Sequence, residues 1–325
     1  MDVELSGTFL AKMRIGSQQY TESTAYINSL HFHREGGHLV SCSDDDFIRV
    51  HDCLSGIEHQ IFTSDKYGCR FGKFLASPDE IIMASTRSGH DLRVLSPETS
   101  EFTRFLSGHT MGVLSLDVFN DITTIISTSQ DRTVRLWDLR VDRGSIGKIS
   151  VGGSSVAACS PDGERFAVAL SEGGIAIYDR RNPSNGPMSY FDFSLEHTSQ
   201  IVGAKFSPNS QALLLTGTEG YHVLYNIETG GKVLEVEKPL MAFSTNDKFV
   251  TGAEFSPDNK FLLIGRHKSI AIFPWPDSIQ SLSKPEPFGN LVGHQGMVWN
   301  VGFNPKYAMF ASAANDLCLW VPPQI

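Results

Sequence analysis

The sequence predicts an all-β fold, a seven-bladed β-propeller whose ring is closed by a strand from the N-terminus. Three observations predict it. The stretch from Gly108 to Arg140 reads as one complete repeat unit, opening on Gly108-His109 and closing on Trp137-Asp138 with alternating apolar strands between. A turn dipeptide of proline plus a polar residue recurs at Pro78-Asp79, Pro161-Asp162, Pro208-Asn209, Pro257-Asp258 and Pro305-Lys306. The residues that close the units, at 51, 95, 137, 178, 225, 273 and 320, step by 44, 42, 41, 47, 48 and 47. Steps of that size match four-stranded blades, and one blade cannot bury its faces alone, so several must stack.

In chain order, the run from Thr8 to Arg14 precedes the first repeat and has no partner of its own. The repeats then fall at about 21–64, 65–106, 107–150, 151–194, 195–240, 241–288 and 289–323 of a single domain spanning 1–325. The first lacks the proline turn and closes at His51-Asp52; the others close at Leu95, Trp137, Tyr178, Tyr225, Phe273 and Trp320. The last repeat ends at Trp320-Val321-Pro322-Pro323 with two residues beyond, room for three strands and no fourth. Residues 5–15 are therefore expected to supply that fourth strand, which joins first and last elements and removes an exposed edge.

Composition limits the function classes. The 29 glycines and 19% charged residues fit a turn-rich β domain, and no apolar run approaches the length of a membrane span. The N-terminus MDVELSGTFLAKMRIG has no basic start and no apolar core of signal-peptide length, so cytosol or nucleus is expected. Five cysteines at irregular spacing, without a C-x-x-C, read as reduced and mostly buried. A formal net charge of −9 argues against direct DNA or RNA binding through bulk electrostatics.

The third repeat carries the pattern of a WD repeat, in which His109, Ser127, Asp131 and Trp137 form a hydrogen-bonded tetrad. A buried imidazole and indole need partners, and a serine and a turn aspartate supply them in series. The set resembles a Ser-His-Asp catalytic triad in residue type alone, because the repeat explains every member. No catalytic residue, metal or cofactor is expected. The first repeat keeps Ser41 and Asp45 but has His51 for the tryptophan. The seventh keeps His294, Ser312 and Trp320, with 8 residues from serine to tryptophan where the third has 10. The remaining repeats have lost most of the set and must rely on apolar packing.

Other constellations read weakly. His31, His33 and His38 could suggest a metal, but lack a carboxylate or thiolate partner. Gly152-Gly153-Ser154-Ser155 has no following Walker lysine and begins a blade instead. The run Asp44-Asp45-Asp46 lacks EF-hand spacing; Asp45 falls at the tetrad turn position, leaving Asp44 and Asp46 expected to be exposed. Arg49, Arg93 and Arg135 lie two residues before the closing residue of the first three repeats. They read either as repeat-imposed arginines whose stems pack and whose heads find carboxylates, or as receptors for a phosphorylated or acidic peptide. The acidic turn at Asp44 and Asp46 could equally attract a basic segment.

Several strings occur in order along the chain: Ser43-Asp44-Asp45-Asp46 followed by Asp52, Lys66-Tyr67-Gly68-Cys69, Arg104-Phe105 before Gly108-His109, and Asp131 to Leu139. Gly186-Pro187, then Phe303-Asn304-Pro305-Lys306-Tyr307 with Met309 to Ala313, complete the set. Together with the short last turn they resemble the propeller subunit shared by COMPASS-type histone H3 lysine-4 methyltransferase complexes and by cleavage/polyadenylation–protein phosphatase 1 assemblies. The fourth to sixth blades and 231–250 depart from that pattern. The resemblance implies a non-enzymatic scaffold in the nucleus, monomeric within a hetero-complex, that holds segments of partner subunits in transcription or its termination. It also implies an association with the phosphorylated RNA polymerase II tail, while the apolar runs, all shorter than a membrane span, lead to no membrane partner being expected. The residues expected to form the contact face are Asp44, Asp46, Lys66, Tyr67, Arg87, Gln130 and Arg132. A cytosolic substrate-receptor propeller, such as a ubiquitin-ligase adaptor, would share the blade pattern and is the alternative.

Overall fold

The computed structural model describes residues 5–20, 25–141, 144–171, 173–193, 200–218, 220–236, 252–275 and 286–323. Within them the strands form seven four-stranded antiparallel sheets, each a blade. The third is representative: Val113–Val118 innermost, then Thr124–Ser129, Thr133–Asp138 and Gly147–Ser150 outermost. Among the described residues no helix is long and apolar enough to cross a membrane.

The period of two along each strand stacks the blades. In Thr124–Ser129, Ile125 points back to Leu92 and Val94 of the second blade. Its neighbour Ile126 points forward to Ala157 and Phe166 of the fourth. A middle strand is thus apolar on both faces, which is why these runs read as nearly continuous Val, Ile and Leu. All five cysteines are free; Cys42, Cys53, Cys69 and Cys318 are buried and Cys159 partly so.

The N-terminus closes the ring, with a strand at Arg14–Tyr20 where the sequence suggests 5–15. Of residues 5–15, only Arg14 and Ile15 belong to the closing strand. Gly7–Leu10 is a short helix whose first turn is capped by Ser6, its Oγ accepting the Phe9 N–H at 3.2 Å. This turns Leu10 and Met13 into the core between the sixth and seventh blades, beside Leu263, Ile272 and Trp320. The strand that pairs is Arg14–Tyr20, antiparallel to Asp316–Val321 with Ile15 opposite Trp320. It is mostly polar because it uses side chains as ties. Ser17 Oγ and Gln19 Nε2 donate to the Gly56 carbonyl of the first blade at 2.7 and 2.9 Å.

A second boundary moves too. Gly289–Met297, placed in the seventh repeat above, is the outer strand of the sixth blade, pairing with His267–Pro274. The seventh blade starts at Asn300–Phe303.

Candidate partner-binding face

Antiparallel pairing puts the turns between second and third strands at the same end of the ring as the connections between blades. Asp44, Asp46, Arg87, Gln130 and Arg132 lie in such turns, and Lys66 and Tyr67 lie in the connection from first to second blade. All seven residues therefore share one face. Lys66, Arg87, Gln130, Arg132 and Asp44 are exposed there.

Asp46 departs from the expected exposure. It takes a positive φ of 67° and its side chain is buried against Arg87 of the second blade, with Nη2 2.5 Å from Oδ2. Burial holds its carboxyl above the usual range, and Arg87 offsets part of that rise. Asp44 alone of this acidic pair faces solvent, its Oδ1 accepting from Asn28 Nδ2 at 2.8 Å. Tyr67 is the hub of a cation–aromatic stack. The Arg93 guanidinium lies 3.5 Å from its ring centre and Lys66 Nζ 5.0 Å, while Phe102 meets it edge-on at 5.5 Å. The Tyr67 carbonyl accepts the N–H groups of Thr86 and Arg87, which fixes the second-blade turn.

Arg49 and Arg93 are buried and turn inward. Arg49 donates to Ser43 Oγ at 2.8 Å and faces Asp45 and Glu58 at 3.5 and 3.4 Å. Arg93 Nε donates to Ser85 Oγ at 2.7 Å. Arg135 donates to Ser145 Oγ at 3.0 Å.

His109, Ser127, Asp131 and Trp137 form one chain of hydrogen bonds. The Trp137 indole N–H donates to Ser127 Oγ at 2.8 Å, Ser127 meets His109 Nε2 at 2.8 Å, and His109 Nδ1 meets Asp131 Oδ2 at 3.0 Å. Burial lowers the His109 pKa despite its bond to Asp131, so a neutral ring with the proton on Nδ1 satisfies every partner. Burial pushes the Asp131 carboxyl up, but donors from Thr133, Thr110 and His109 outweigh it and hold the group well below its usual range. Ser127 is fully buried and receives the indole on its remaining side, so no substrate carbonyl can approach its oxygen.

The seventh blade repeats the set in full. His294 Nε2 meets Ser312 Oγ at 2.6 Å, Trp320 Nε1 donates to Ser312 at 2.7 Å, and His294 Nδ1 meets Asp316 Oδ1 at 2.7 Å. Gln18 of the closing strand donates to the other Asp316 oxygen at 2.7 Å. Asp316 was missed because the short turn places it on the strand itself. The signal was present: it follows Ser312 by 4 residues, as Asp131 follows Ser127. With Cys318 these residues are also a metal-like group, ligand atoms within 4.8 Å, but the hydrogen bonds already use the imidazole nitrogens. In the first blade His51 Nε2 stands in for the indole, 2.9 Å from Ser41 Oγ.

His31, His33 and His38 do not converge. His31 Nδ1 accepts the Phe74 N–H at 3.1 Å, His33 packs edge-on against Phe74, and His38 faces His59. His31 belongs to a polar series on the inner strands that the sequence reading did not pick out. Lys73 pairs with Asp117 at 2.5 Å, Asp117 Oδ2 accepts the Cys159 N–H at 2.8 Å, and Lys205 pairs with Glu254 at 2.6 Å. The signal is a polar residue just before the phenylalanine of an inner strand, as in His31-Phe32, Lys73-Phe74, Lys205-Phe206 and Glu254-Phe255.

Residues 16–52 and 100–138 match the WD domain, G-beta repeat family, each match running from an outer strand into the next blade. WD repeat-containing protein 82 of Drosophila melanogaster is 31% identical, covering 99% of this chain and 98% of its own length. The COMPASS component SWD2 of Saccharomyces cerevisiae is 30% identical over 91% of this chain and 90% of its own length. The Set1 complex component swd2 of Schizosaccharomyces pombe is 29% identical over 79% and 73%.

Proposed function

Because the chain belongs to the WD-repeat family that includes WD repeat-containing protein 82 and COMPASS component SWD2, we propose that it is a non-catalytic scaffold subunit of a nuclear COMPASS-type histone H3 lysine-4 methyltransferase complex. The observation that carries this reading is likeness along 91% and 79% of the chain to two proteins named as components of COMPASS and Set1 complexes. The tetrads act as braces that keep blades three and seven rigid, and the Ser41–His51 bond helps to brace blade one. A rigid ring can order a partner segment that is disordered when free and hold it beside a catalytic subunit. Lys66, Tyr67, Arg87, Gln130 and Arg132, with Asp44, form the contact face on blades one to three; Asp46 serves it indirectly by holding Arg87.

A second assignment, to cleavage/polyadenylation factor with its protein phosphatase 1 module, rests on the same strings, Lys66-Tyr67-Gly68-Cys69 among them. The exposed Lys66 and Arg132 would also suit the phosphorylated RNA polymerase II tail. Affinity purification of the tagged protein with mass spectrometry tests these readings together. Methyltransferase subunits support the first, and polyadenylation and phosphatase subunits support the second. Recovery of a ubiquitin ligase without either would overturn both.

A further inference from the structure

On the contact face each blade places a residue one to three positions ahead of its inner strand. The carbonyls of Tyr26, Gly112, Ser154 and Gln200 accept the N–H groups of the turn residues Asp44, Gln130, Ser171 and Thr218, and that of Gly252 accepts from Gly265 at the end of a second strand. Tyr67 does the same for Thr86, and Trp299 precedes the inner strand Asn300–Phe303 of the seventh blade. Aromatic residues therefore come from three successive blades, the seventh, first and second, while the other four carry small or polar residues. Tyr67 is already covered by Arg93 and Lys66. Among the described residues no cation covers Trp299 or Tyr26 in this way. Their rings meet at 4.9 Å across the seam where the propeller closes, and Tyr26 is 45% exposed.

Asp44 is bonded through its N–H to the Tyr26 carbonyl at 3.0 Å and carries an exposed carboxylate, whose Oδ1 accepts from Asn28 Nδ2 at 2.8 Å. The turn on the other side of the seam carries neutral Asn315 next to the buried Asp316. Arg87, one blade further, is neutralised by Asp46, and Lys268 on the sixth blade marks the far limit. The Trp299 indole N–H is buried without an acceptor among the described residues.

We propose that Trp299, Tyr26 and Asp44 form a site for a cationic side chain, a lysine or arginine of a partner's basic segment. Aromatic faces attract the cation through their quadrupoles, and the carboxylate completes the charge. The site deepens the partner-binding reading above and rests on it for the source of the segment, but it is independent of which complex supplies it.

The test uses the purified full chain and an arginine–glycine repeat peptide, with glutamate–glycine and proline–glycine peptides as comparators. Four tryptophans (Trp137, Trp275, Trp299, Trp320) give four indole N–H resonances, that of Trp299 being assigned with Trp299→Phe. The arginine peptide should move the Trp299 resonance and leave those of buried Trp137 and Trp320 in place. Tyr26→Ala and Asp44→Asn should each weaken binding between about twofold and thirtyfold. Glu98→Gln, at the opposite end of the ring, should not. An unmoved Trp299 resonance, variants that bind within twofold of the parent, or equal weakening by Glu98→Gln would overturn the proposal. So would a proline–glycine peptide giving the same shift with the same sensitivity to Tyr26→Ala. The scaffold reading survives any of these results, because it is judged by which subunits co-purify.

Discussion

Ser312→Ala perturbs the central atom of the seventh-blade tetrad. Its Oγ accepts the Trp320 indole at 2.7 Å and meets His294 Nε2 at 2.6 Å, and all three residues are at most 4% exposed. Removing the hydroxyl leaves a buried donor and a buried acceptor unpaired, at about 1–3 kcal/mol each, or roughly 2–6 kcal/mol in all. Ser127→Ala in the third blade removes the same two bonds and should cost as much. Ser41→Ala removes a single bond to His51 and should cost about half. For a chain of 325 residues the unfolding entropy is about 0.7 kcal/mol/K, so Ser312→Ala should lower Tm by about 3–9 °C and Ser41→Ala by about 1–4 °C. Calorimetry on the three variants reads the order directly. A loss under a degree for Ser312→Ala, or a larger loss for Ser41→Ala than for the other two, would refute the reasoning.

Two other perturbations follow from the same geometry. Deleting residues 1–13 removes Leu10 and Met13, which are 0% and 4% exposed, and should cost about 3–6 kcal/mol in urea unfolding. Deleting 1–20 also strips the closing strand and should leave a protein that associates through its open edge; equal melting and a monomeric state for both truncations would contradict ring closure by Arg14–Tyr20. Acid should destabilise the fold well above the carboxylate range. Burial, with Arg49 and Arg266 nearby, holds His51 and His222 down to about 3, whereas the unfolded chain takes these protons near 6.5. Their contribution is full above 6.5 and is lost as pH falls toward 3. At pH 5.5 the two together should forfeit about 3 kcal/mol, while Asp131 and Asp316, whose pKa values are depressed, give up their part only at lower pH. Identical urea midpoints at pH 7.5 and 5.5 would rule this out.

The repeat phase was legible because turn dipeptides and closing aromatics recur with the blade period, and the third-blade tetrad because its spacing is undisturbed. What escaped was set by tertiary context. Arg14–Tyr20 shows little apolar alternation, since an outer strand needs ladder bonds and side-chain ties more than a core face. Leu10 and Met13 look like strand residues until Ser6 caps a helical turn and swings them inward. Asp46 reads as a solvent-facing turn residue because its partner, Arg87, lies 41 positions away on another blade. Asp316 could have been found by its offset from Ser312, had the turn length not drawn attention to the tryptophan. Tyr26 and Trp299 are 273 residues apart, and ring closure alone makes them neighbours.

The most direct measurement compares subunit recovery by the tagged parent and by a Lys66→Glu, Arg132→Glu double variant. Both side chains are exposed on the first three blades, so the variant should keep the parent's Tm. The scaffold reading predicts that the parent recovers histone methyltransferase subunits and that the folded variant recovers far less of them. Equal recovery by both would contradict the assigned face, and a parent that brings down no such subunits would contradict the assigned function.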